Sequence, residues 1–152
     1  MRKGIRFAID FGDARIGVAK SDIDGLLAVP VATIKNDKDL ISNLVSIINE
    51  TYCLEIYIGL PKHLSGSIGQ SANKAINFAQ QLKKALPDIS LRMLDERLTT
   101  TSASARLSES GVSTRHQKDM IDQVAAIELL EQALDFEKRN SEIPGIDLKE
   151  VK

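Results

Sequence analysis

The order in which hydrophobic periodicity changes along this chain is its strongest constraint on fold. Two β-favouring runs, Arg6 to Asp10 and Arg15 to Lys20, flank Phe11-Gly12-Asp13-Ala14, where Gly and Asp supply hairpin turn chemistry. A third run, Val29 to Ile34, follows the turn signal Asp22-Ile23-Asp24-Gly25, which predicts an antiparallel three-stranded meander. From Asp39 the period becomes helical, with Leu40, Leu44, Ile47 and Ile48 on one face. Glu55 to Gly59 then reads as a short buried strand stopped by Gly59-Leu60-Pro61. A second helix begins after Gly69 and reaches Ala85, before Leu86-Pro87-Asp88, and Ser90 to Leu94 gives a fifth strand. Thr99 to Thr101 offer hydroxyl caps for a third helix reaching Gly111. The last helix runs from about Gln117 to Lys138, and Asn140-Ser141-Glu142-Ile143-Pro144-Gly145 breaks the pattern.

Antiparallel strands followed by alternating helices and strands predict an α/β fold: a mixed five-stranded sheet, three antiparallel strands then αβαβα, with helices packed on it. At 152 residues and 43% hydrophobic the chain supports one core, expected over residues 1–138, with 139–152 as a mobile C-terminal tail. No run of eighteen apolar residues occurs, and the start shows no signal-peptide pattern, so a soluble, cytoplasmic protein without a membrane partner is expected. The lone Cys53, within Tyr52-Cys53-Leu54, reads as a small hydrophobe and excludes a thiolate metal framework.

In open α/β sheets ligands gather beyond the carboxyl ends of the parallel strands. Asp10, Pro61 to Gly66, and Asp95-Glu96-Arg97 are expected at such ends. Taken singly the signals are weak, since Asp10 suits a turn and Glu96 suits a surface pair with Arg97. Asp122 shares a helix face with Ala125, Ala126, Leu129 and Ala133, a small-residue face suited to close approach to a sheet. A helix N-terminal role for Asp122 is equally open, and Asp119 could serve there too. Together, two strand ends and a helix start could bring three carboxylates to one edge. Oxygen ligands without His or Cys clusters favour Mg²⁺ or Mn²⁺, one or two ions, over zinc. Two such ions would activate a water and stabilise the leaving oxygen in phosphoryl transfer.

Four blocks make a resemblance specific. They are Ile9-Asp10-Phe11-Gly12 with Arg15-Ile16-Gly17-Val18-Ala19 and Ser21-Asp22; Gly59-Leu60-Pro61 with Gly66; Asp95-Glu96-Arg97-Leu98-Thr99-Thr100; and Lys118 to Asp122 with Ala125-Ala126. On these blocks the chain resembles the YqgF family of Holliday-junction-resolvase-like proteins, described as nucleases of pre-16S ribosomal RNA. The resemblance implies a ribonuclease H-like fold, catalytic and metal-holding roles for Asp10, Glu96 and Asp122, and an auxiliary role for Asp119. It implies endonuclease action in pre-16S rRNA maturation, with structured RNA and ribosomal components as partners. Branched DNA is the alternative substrate, and either a monomer or a weak dimer is compatible.

Arg15 and Arg97 are candidates for phosphate contacts, since a guanidinium grips two oxygens at once; each could equally orient a neighbouring carboxylate. Lys118 and Lys62 are candidate phosphate point charges. The net charge of −1 argues mildly against nucleic acid, but between Arg92 and Lys118 five cations face three anions. Aromatics at 4% and no Trp leave a base-stacking platform unsupported, so phosphate and shape recognition is expected. Asp10-Phe11-Gly12 also resembles the phosphate hairpin of the actin and sugar-kinase superfamily, whose two-domain clamp a chain of one core lacks. A non-catalytic nucleic-acid or ribosome-associated factor would keep the fold without turnover.

Overall fold

The computed structural model describes residues 1–60, 70–95 and 114–151, the side chains of 114–122 excepted. The element order is β1 (Ile5–Phe11), β2 (Arg15–Ser21), β3 (Ala28–Lys35), α1 (Leu40–Ile48), β4 (Cys53–Leu60), α2 (Gln70–Ala85), β5 (Ser90–Asp95), α3 (Thr114–Asn140) and β6 (Ile146–Asp147). The expected helix over 99–111 and the loop from Pro61 to Gly66 lie outside the described residues.

One sheet runs β3-β2-β1-β4-β5-β6. β1 pairs antiparallel with β2 and parallel with β4, and β4 is parallel to β5. The carboxyl ends of β1, β4 and β5 therefore share an edge of the sheet. Period-two alternation sorts the strands onto two faces. Phe7, Ile9, Ile16, Val18, Ile56, Ile58, Leu91 and Met93 point to the side covered by α1 and α2, which contribute Leu40, Leu44, Ile48, Ala72, Ala75, Ala79 and Leu82. Ala8, Ala19 and Tyr57 point to the other side, where α3 lays down Ala126, Leu129, Leu130, Ala133 and Leu134. Alanines on both partners, Ala8 and Ala19 against Ala126 and Ala133, leave room for Tyr57 and the three leucines between the layers.

Among the described residues the sheet has six strands, one more than the sequence predicts. The sixth lies in the segment expected as a mobile tail, and the structure places that segment on the sheet instead. Ile146 and Asp147 pair antiparallel with Met93 and Arg92. The Arg92 guanidinium donates to the carbonyls of Pro144 (2.6 Å) and Gly145 (2.7 Å), and Leu148 is buried. Two residues are too few to show alternation, so periodicity could not reveal this strand. Its effect is to cap the unpaired edge of β5. The opposite edge strand, β3, carries Pro30 at an irregularity in its pairing with β2, where a missing N–H costs nothing.

At the amino ends of the parallel strands lies an ionic cluster. Arg6 is fully buried and donates to Glu137 Oε2 (3.0 Å) and to the Arg2 and Gly4 carbonyls. Arg2 donates to Glu137 Oε1 (2.6 Å) and Glu55 Oε1 (2.8 Å), and Glu55 also accepts from Tyr57 and Ser90. Burial disfavours the Glu137 charge, but the bonds from Arg2, helped by Arg6, outweigh it and hold the carboxyl below the usual range. Burial, then the charge and bond of Glu55, raise the Tyr57 phenol, which stays neutral. Cys53 Sγ faces the Glu55 carbonyl at 3.4 Å, and burial pushes its thiol up to about 12, far from a reactive thiolate.

Candidate active site

The face of β1 under α3 reads Arg6, Ala8, Asp10: a buried cation at one end, a small residue in the middle and a half-buried carboxylate at the other. Asp10 stands at the carboxyl edge, opposite Gly17 of β2, and Gly17 stands opposite Thr33 of β3. The three form a row across the sheet on the α3 side, with no side chain in its centre. The turn beyond Asp10 is tight: a Cβ at Gly12 would lie 2.6 Å from the Arg15 carbonyl oxygen, and Asn36 Nδ2 donates to the Gly12 carbonyl at 2.9 Å. Gly12 thus permits the chain to reverse immediately after the carboxylate.

The row is reached by α3. Gln123 Nε2 donates to Thr33 Oγ1 at 2.9 Å. From Gln123 to Glu137 is about 21 Å of helix axis. The sheet diagonal from Thr33 to Glu55, four residues along and three strands across, is about 19 Å. α3 therefore crosses the sheet obliquely, its later turns over Arg6 and Glu55 and its earlier turns at the level of Asp10. Position 122 directly precedes Gln123 and lies one turn ahead of the buried Ala125 and Ala126.

Asp10 and Arg15 are both half-buried; Arg15 lies two residues before Gly17 on β2, which alternation puts on the Asp10 face. Lys118, Asp119 and Asp122 lie within α3 by backbone alone. β5 ends at the exposed Asp95, opposite Leu60, and Glu96 directly follows it. Glu96, Arg97 and Lys62 lie outside the described residues. Among the described residues no group of three His, Cys, Asp or Glu is positioned to hold a metal ion. Sequence reasoning missed Thr33 and Gln123; the position of Gln123 beside Asp122 is the one signal that could have marked it.

Asp10 offers carboxylate oxygens, a donor type that suits a hard divalent cation. Cys53 sits at the amino end of β4, away from Asp10.

The sheet order, the antiparallel meander and the oblique last helix define a ribonuclease H-like fold. T. thermophilus RuvC, solved in complex with a Holliday junction substrate, shares it at a TM-score of 0.59 and 8% identity, over 93% of this chain and 99% of that one. The chain belongs to the RuvX family, described as Holliday junction resolvase, whose model matches residues 4–136. A protein of Rhodococcus erythropolis is 44% identical over 98% of this chain and 87% of its own length. One of Streptomyces avermitilis is 42% identical over 95% and 94%. Both bear pre-16S rRNA nuclease as a provisional name. No helix among the described residues is long and apolar enough to cross a membrane.

Proposed function

We propose that this chain is a divalent-metal-dependent endonuclease that hydrolyses phosphodiesters of structured RNA, with precursor 16S rRNA as the substrate. The observation that carries the reading is the position of Asp10: a half-buried carboxylate at the carboxyl edge of the sheet, on the face crossed by α3. Family membership and the pre-16S rRNA names of its relatives support it.

In this reading Asp10, Glu96 and Asp122 hold Mg²⁺ or Mn²⁺, as one or two ions, with Asp119 auxiliary. The bound cation supplies an activated water and stabilises the leaving oxygen. Asp10 is anchored by a central strand, so its carboxylate keeps one position while substrate enters. Arg15, on the same face, and Arg97 grip the phosphate flanking the cut. Lys118 and Lys62 add positive charge along the backbone. The protein works in the cytoplasm.

The test is cleavage of precursor 16S rRNA and of four-way DNA junctions with Mg²⁺ or Mn²⁺, by wild type and Asp10→Asn. Metal-dependent RNA cleavage lost in Asp10→Asn supports the proposal. Junction cleavage without RNA cleavage would establish instead the resolvase reading, which the family's description favours. Equal activity in both proteins, or none in either, refutes catalysis through Asp10.

A further inference from the structure

The polar row holding Asp10 is bonded to the last helix through Gln123. Asp10, Gly17 and Thr33 stand in register on one sheet face, and the Thr33 hydroxyl accepts from Gln123, the residue after position 122. Further along, α3 rests on the sheet through Ala126, Leu129, Leu130, Ala133 and Leu134 until it reaches Glu137. Apolar burial is non-directional and by itself selects no single register of the helix on the sheet. A hydrogen bond is directional and fixes both. Glu137 anchors the far end of α3, about 21 Å away; Gln123 anchors the end where the carboxylates belong.

We infer that the Gln123–Thr33 hydrogen bond is a positioning clamp that fixes residue 122 relative to Asp10 and thereby sets the affinity of the carboxylate site for a divalent cation. The inference rests on the carboxylate reading above. Both are positioning residues, acting through the bond between them. Thr33 belongs to the edge strand β3, so the clamp also ties the least supported part of the row to α3.

The test is calorimetric titration of the full chain with MnCl₂, beside thermal melting. Thr33→Val and Gln123→Leu are each expected to weaken Mn²⁺ binding about ten-fold, as loss of a partner behind a metal ligand does. Thr33→Ser, which keeps the hydroxyl, should bind as wild type. The double variant should be no weaker than either single one, because both break one bond. Affinities within about twofold of wild type in the folded single variants, or additive losses in the double, overturn the clamp. If Thr33→Val does not fold, Gln123→Leu decides alone. Asp10→Asn separates the two ideas: wild-type Mn²⁺ binding in that variant sinks the carboxylate reading itself. Binding lost there but kept in the clamp variants sinks the clamp only.

Discussion

Glu137→Gln isolates what the ionic cluster contributes. The amide keeps the shape of the side chain and removes its charge. Arg2 retains Glu55 at 2.8 Å and is about one-third exposed, so it can turn to water. Arg6 cannot: it has no exposed surface, its other described acceptors are the Gly4 and Arg2 carbonyls, and its Nε finds no acceptor among the described residues. The substitution strands a guanidinium charge in the interior, a change that costs about 3 to 5 kcal/mol. The surface pair Asp135–Arg139, with both side chains more than half exposed, should yield under 1 kcal/mol on Asp135→Asn. Urea unfolding at neutral pH, with an unchanged slope, reads both. The sign of the pH dependence follows from the depressed Glu137 carboxyl. Its contribution is complete above the unfolded value of about 4.3 and vanishes as pH falls through the lower folded value. Wild type should therefore lose stability on acidification below about pH 5, more steeply than Glu137→Gln. A loss under about 1 kcal/mol in Glu137→Gln, no greater than in Asp135→Asn, would refute the argument that buried charge pairing holds these chain ends together.

Further outcomes bear on the site and the sheet edge. Asp10→Asn, Glu96→Gln and Asp122→Asn should each abolish metal-dependent cleavage while the metal-free melting temperature holds or rises, since gathered carboxylates repel one another; unfolding of all three would assign them structural roles. Gly145→Ala should cost about 1 to 3 kcal/mol in urea unfolding. Its φ is +77°, and the added Cβ would lie 2.6 Å from the Met93 carbonyl oxygen. Truncation after Asn140 should bare the β5 edge and raise light scattering on storage; a monodisperse truncated protein would show that the cap is dispensable.

Periodicity revealed the elements that bury a whole face. The hairpin strands, β4, β5 and α2 begin and end within about two residues of where alternation and turn residues put them. α3 extends beyond the expected Gln117–Lys138 at both ends, to Thr114 and Asn140. The polar network was not legible, because Arg2 and Glu137 lie 135 residues apart and charges have no periodicity to connect them. The C-terminal strand was hidden because its hold on β5 comes from carbonyls and a buried Leu148, which follow no pattern in sequence. Of the candidate site, the sequence singled out carboxylates, of which Asp10 has its side chain among the described residues; the cross-strand register put Asp10 in line with Thr33, a partner that no motif marks.

The pairing of the first residues with the last helix governs when the molecule can come into being. β1 is made first yet lies between β2 and β4, and Arg6 meets its carboxylate only when Glu137 has been synthesised. Until then Ala8, Ala19 and Tyr57 lack the cover that α3 provides. Under the proposed assignment of Asp122, which lies on that same helix, a nascent chain would acquire its cutting edge only in the event that seals its interior. On that assignment, a chain whose last helix is unfinished has neither a closed interior nor a complete site.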